Sequence, residues 1–348
     1  MSVMNARRRP LIPRPRRTAA RTALAGAAAM GMLGLTACGA GEAGETGGDA
    51  SGGVDVVASF YPMQFLAEEI GGEHVSVSSL VGPGVEPHDL ELSPRQTAVL
   101  GEADLVVYLK GFQPAVDKAI ELSGVENVAE VTSYTEPAER DPGHEEEHGD
   151  EHGDGHGEEG HEEEGHEGHD HGGEGATDPH VWLDPVKYAE VAEGVGDALA
   201  EADPDHAGDY RKNADALAEK LRDLDADFRE GLENRRTDTF ITAHAAFGYL
   251  ADRYGLHEES VAGLDPESEP SGARMKQLHR VAEEDDVDTV FFEAAAGERT
   301  AKTLADDLGL RTDVLDPVEG VTDASPGDDY FEIMRANLQA LRKALGAR

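Results

Sequence analysis

The sequence predicts an α/β protein of two lobes, each a roughly four-stranded, mostly parallel sheet flanked by helices, with one long helix joining them. Three observations predict it. Short apolar runs alternate with helical patterns over residues 54–131, and again over 239–345, and such alternation builds parallel sheets. Between the two series, Leu217, Leu221, Leu224 and Phe228 recur at three- and four-residue spacing, the mark of a long amphipathic helix. A tract at 141–175 interrupts the first series and contains no aliphatic or aromatic side chain with which to form a core.

The elements follow in order. Residues 54–59 form a buried-type strand, 62–70 a helix and 74–81 an alternating strand, and a loop then runs over 82–91. Ser93 is an N-cap with Pro94 at the first helical position, so a helix runs to about residue 101. Strands at 105–109 and 127–131 flank a helix at 113–122. After the tract, a helix from 185 to about 202 completes a first lobe, 54–202. The linking helix spans 203–234, and a rise of about 1.5 Å per residue makes it long enough to bridge two lobes. The second lobe, 235–348, alternates strands at 239–243, 259–262, 289–292 and 311–315 with helices at 246–254, 272–284, 300–308 and 328–345. Ligands of open α/β sheets sit beyond the C-terminal ends of the strands, so a shared site would lie between the lobes.

Ahead of the fold, residues 1–37 carry seven arginines and no acid, and end in a small-residue apolar run. That pattern is an export signal, too short to span a bilayer. Its ending, Leu35-Thr36-Ala37-Cys38, resembles a bacterial lipobox. The resemblance implies cleavage before Cys38, lipidation of that cysteine and anchoring on the outer face of the cell membrane. Residues 38–53, rich in Gly, Ala and acids, are a flexible tether.

The 348 residues carry a formal net charge of −42, which argues against nucleic acid as a partner and favours the approach of cations. With Cys38 the single cysteine, neither an internal disulfide nor a cysteine zinc site is possible, so a folded metal site must use His, Asp and Glu. The tract at 141–175 holds eight histidines (His144, His148, His152, His156, His161, His166, His169 and His171) among fifteen acidic residues. This composition reads as an accessory metal-binding loop.

Four candidate ligands fall where the strand-end rule puts them. His88 follows the second strand, His180 precedes a helix, and His244 and Asp316 directly follow strands. Three imidazoles and one carboxylate make a plausible tetrahedral zinc set. No general base is evident, and a fourth protein ligand would close the site to water, so no enzyme is expected.

Six stretches carry a family resemblance: residues 83–91 (PGVEPHDLE), 178–185 (DPHVWLDP), 244–250 (HAAFGYL), 269–271 (EPS), 291–293 (FFE) and 315–317 (LDP). In this order, over 54–345, they resemble the zinc- and manganese-type metal receptors of bacterial ABC importers. The resemblance implies an extracytoplasmic lipoprotein that captures Zn2+ and delivers it to an ABC permease. It implies a metal between the lobes held by His88, His180, His244 and Asp316, with a rigid linking helix that limits closure. Manganese members usually carry a carboxylate where His244 stands, and three imidazoles suit zinc. A manganese or mixed-metal receptor, or an envelope metal buffer, is the alternative. A monomer is expected. Glu293 is expected in a structural ion pair with Arg274, and Trp182 in the core or beside the site. His74, His206, His257 and His279 are expected at the surface.

Overall fold

The computed structural model describes residues 53–136, 178–266, 268–294 and 298–348, which belong to one compact unit. The export signal with Cys38, the tether up to residue 52 and the histidine-rich tract lie outside the described residues.

Two four-stranded parallel sheets form the frame. In the first, β1 (Val54–Ala58), β2 (Val75–Ser79), β3 (Leu105–Tyr108) and β4 (Val128–Glu130) lie in the order β2-β1-β3-β4. In the second, β5 (Thr239–Thr242), β6 (His257–Ser260), β7 (Thr289–Phe292) and β8 (Arg311–Val314) repeat that order as β6-β5-β7-β8. Their central strands are apolar on both faces because helices cover both. Val56 and Ala58 of β1 and Leu105 and Val107 of β3 face one core, while Val57, Val106 and Tyr108 face a second. Phe240 and Phe291 face the first core from the other sheet, and Ile241 and Val290 face a third.

Nine helices are seen among the described residues: α1 (Tyr61–Gly71), α2 (Pro94–Glu102), α3 (Pro114–Ser123), α4 (Pro185–Ala202), α5 (Ala207–Gly231), α6 (Gly248–Tyr254), α7 (Gly272–Glu284), α8 (Glu298–Leu308) and α9 (Tyr330–Ala344). Ser93 and Gln96 form a full capping box at α2. The 25-residue helix α5 is the predicted link. Its buried face, Leu217, Leu221, Leu224 and Phe228, joins residues of both sheets in one continuous core. Helix α4 packs against it closely, since a Cβ on Gly196 would come within 2.6 Å of the Ala214 methyl. Arg253 on α6 lies 2.9 Å from Asp225 of α5 and 3.5 Å from Asp184 at the start of α4. Shared apolar burial and this ion triad tie the two sheets together.

One strand departs from expectation. β6 occupies His257–Ser260, two residues before the predicted 259–262, with His257 opposite Thr239. It is an edge strand of sequence HEES without a fully buried residue, so the apolar Val261 and Ala262 just beyond it misled the reading.

Candidate metal centre

Residues 178–185 show how a short motif becomes one side of a site. Asp178 Oδ1 accepts both the backbone N–H of His180 (3.0 Å) and its ring Nδ1–H (2.8 Å). A carboxylate can only accept here, so Nδ1 carries the proton and Nε2 faces the other way. Val181–Leu183 form a 3-10 turn, with Trp182 fully buried. Asp184 then caps α4 by accepting from Val186 and Lys187, and Pro185 occupies the first turn, where its missing N–H costs nothing.

His244 lies two residues past β5 and is 2% exposed. Its Nδ1 donates to Glu293 Oε1, at the end of β7, so this ring too turns Nε2 inward. Glu293 therefore pairs with His244 and not with Arg274, which instead meets Glu259 (2.8 Å) and the Ser260 carbonyl. His88 sits in the loop after β2. Its backbone N–H donates to Glu86 (3.1 Å), and the amide of Gln113 donates to the Pro87 carbonyl just before it (3.1 Å). Phe112 packs edge-on against the His88 ring, with centroids 4.5 Å apart, and Trp182 lies 5.2 Å from the His180 ring.

The three rings form a nearly equilateral triangle, with centroid separations of 5.7, 5.8 and 6.0 Å. One oxygen of Glu319 approaches all three rings. Oε1 is 3.3 Å from His88 Nε2, 3.1 Å from His180 Nε2 and 3.8 Å from His244 Nε2. Donor atoms of these four residues lie within 4.8 Å of one another, the one such group of possible metal ligands among the described residues. A tetrahedral ion with bonds of about 2.0–2.1 Å needs donor–donor separations of roughly 3.3–3.4 Å. The three contacts to Glu319 already bracket that value.

Asp316, the expected fourth ligand, is buried nearby but is not in the group. Its Oδ1 turns back to accept the Val318 N–H (2.8 Å). Val318 adopts φ +60°, a left-handed conformation costing a β-branched residue about 1–3 kcal/mol, and the next residue, Glu319, points at the imidazoles. The strand-end rule pointed to the carboxylate directly after β8. It missed Glu319 because no local propensity foretells a valine turned left-handed. Trp182 is both buried in the core and in ring contact with the site. Of the other histidines, His257 is exposed, whereas His74 stacks on His206 at 4.0 Å away from the centre.

The electrostatics suit a cation. Burial is the largest influence on His180 and favours its neutral form, but hydrogen bonds to Asp178 and Glu319 outweigh it and raise the ring to about 10. His244 is also raised, because Glu293 outweighs its burial. Burial pushes Glu319 up, but its bonds to His180 and His88 win and hold it well below the usual carboxylate range. Burial, helped by the charges of Glu293 and Glu319, raises Asp316 to about 6 against the Val318 N–H. A cleft of about 170 Å³ beside the site is lined by the carboxylates of Glu86, Glu293, Asp316 and Glu319, a negative field that draws cations inward.

Two like-ordered parallel sheets tied by a long helix, with three imidazoles and one carboxylate gathered in a single largely buried group, define a two-sheet α/β protein built to hold a metal ion. The chain belongs to the family described as "ZnuA: Zinc-uptake complex component A periplasmic", which matches residues 56–344. It is 35% identical over 297 residues to the zinc-binding lipoprotein AdcA of Streptococcus pneumoniae, a match covering 84% of this chain and 56% of that protein. It is 36% identical over 292 residues to the high-affinity zinc uptake system protein ZnuA of Bacillus subtilis, covering 83% and 87% of the two chains. The crystal structure of Zn(II)-bound AdcA from S. pneumoniae superposes with a TM-score of 0.66 at 31% identity, over 84% of this chain and 58% of that one. The chain thus spans little more than half the length of the AdcA relatives it matches.

Proposed function

We propose that this protein captures Zn(II) outside the cell and hands it to an ABC permease, with His88, His180, His244 and Glu319 as ligands. The observation that carries the reading is the convergence of three Nε2 atoms on one carboxylate oxygen, at separations of 3.1–3.8 Å that suit a tetrahedral ion. Three imidazoles and a single carboxylate favour zinc over manganese, which prefers oxygen-rich sites. The zinc in the names of the AdcA and ZnuA relatives agrees with that preference. Because Glu319 fills the fourth position, the site suits holding and release and leaves no coordinated water to activate.

In this reading Cys38 carries the lipid anchor, residues 38–53 let the receptor stand off the membrane, and the receptor works as a monomer. The histidine-rich tract collects zinc as an accessory to the buried site. The test is competition titration of residues 39–348 with zinc and manganese against a chelator, beside the same chain lacking 141–175. One tight zinc site that survives the deletion, with manganese much weaker, supports the proposal. Equal or tighter manganese binding overturns the choice of metal. Loss of the tight site with the tract makes the protein a buffer.

A further inference from the structure

The segment that carries Glu319 is held from several sides. Asn337 on α9 grips the backbone of Asp316 twice: its Oδ1 accepts the Asp316 N–H (2.9 Å) and its Nδ2 donates to the Asp316 carbonyl (2.7 Å). Asn337 is 1% exposed, so these bonds are made out of water. Trp182, two residues from His180, donates its indole N–H to the Pro317 carbonyl (2.7 Å). Tyr330 holds Trp182 in turn by donating to its carbonyl (2.7 Å). Inside the turn, Asp316 Oδ1 accepts from Val318, the residue forced to φ +60°. A strained conformation persists only where its surroundings over-determine it, and here the bonds of Asn337, Trp182 and Asp316 supply that.

We infer that Asp316, Asn337 and Trp182 are positioning residues for metal capture: they hold the 316–318 turn so that Glu319 meets the three imidazoles, and Asp316 itself binds no metal. The inference rests on the proposed zinc site. It gives the Asp316 carboxylate a different task from the one its place after a strand implies, that of a hydrogen-bond acceptor inside a turn. It also couples two ligands directly. The indole of Trp182 joins the turn bearing His180 to the turn bearing Glu319, so these two donors keep their spacing without an ion between them.

The test compares Asp316→Asn, Asp316→Ala, Val318→Gly and Glu319→Gln in the full chain lacking only 141–175. Zinc affinity is read by chelator competition, and the visible absorption of bound Co(II) reports the number and kind of ligands. Thermal melting checks that each variant folds. An asparagine at 316 keeps an oxygen that can accept the Val318 N–H, so affinity stays within about threefold and the Co(II) spectrum is unchanged, whereas alanine weakens binding by about 10–100-fold, as loss of an outer partner does. Glycine at 318 adopts the left-handed turn without strain and keeps the affinity. Glu319→Gln loses more than the about 100-fold that bounds an outer partner and alters the spectrum. If Asp316→Asn folds yet falls as far as Glu319→Gln, Asp316 is a ligand and the inference is overturned. If Asp316→Ala binds as tightly as the parent, the turn needs no such anchor and the inference fails equally. Failure of the site itself shows separately, as a parent protein whose zinc affinity is untouched by His244→Ala.

Discussion

Replacing Glu293 by alanine separates what a buried carboxylate does for the fold from what it does for the metal. Glu293 is 8% exposed and takes the Nδ1–H of His244, itself 2% exposed. Without it the imidazole N–H is left without this acceptor, which costs about 1–3 kcal/mol. Part of that is returned, because Glu293 also raises Asp316 by charge repulsion. The metal-free protein should therefore melt only a few degrees lower, at about 2–4 °C per kcal/mol for a chain of this size. The effect on binding is different in kind. The ring can rotate or change tautomer, and its Nε2 becomes a weaker donor. Loss of an outer carboxylate of this sort costs about 10–100-fold in metal affinity, or about 1.4–2.7 kcal/mol. Glu293→Gln, whose amide oxygen can still accept the N–H, should lose less than about tenfold. Chelator competition at fixed pH gives the affinities, and melting without metal gives the stabilities. If Glu293→Ala melts lower yet binds zinc as tightly as the parent, Glu293 is a structural partner only and the orientation argument is refuted.

Other outcomes follow from the same geometry. His180→Ala and His244→Ala should each weaken zinc binding by orders of magnitude, since each removes a buried ligand; chelator competition that finds either variant as tight as the parent would remove that residue from the site. Zinc must displace the proton that His180, raised to about 10, holds at neutral pH, so binding at pH 7 should release at least one proton. Calorimetry in buffers of different ionisation enthalpy should show a buffer-dependent heat. The stability of the metal-free protein runs the other way: the raised His180 contributes fully below its ordinary value of 6.5, and that contribution is lost as pH rises through about 10. Deleting 141–175 should lower the number of zinc ions bound per chain while leaving one tight site, as counted by metal analysis after dialysis.

Much of this was legible in the chain because the physics is local. Apolar runs such as LVVY in β3 and TVFF in β7 are continuous because both sheet faces are covered, so they stand out against the polar segments around them. The cap at Ser93, followed by proline, marks a helix start without ambiguity. Three histidines placed at the ends of these elements meet in space for the same reason. What escaped depends on the fold as a whole. β6 is a polar edge strand whose register is set by its pairing with β5. The partner of Glu293 could not be chosen between Arg274 and His244 until β5 and β7 lay side by side. Glu319 enters through a left-handed valine imposed by Asn337 and Trp182, which lie far from it in sequence.

The most direct test of the central claim is the anomalous diffraction of zinc in crystals of the zinc-loaded protein. The account predicts one strong peak within about 2.0–2.2 Å of the Nε2 atoms of His88, His180 and His244 and of a Glu319 carboxylate oxygen. Asp316 should remain bonded to the Val318 N–H. A peak bound by Asp316 in place of Glu319, or no peak among the three imidazoles, would contradict it.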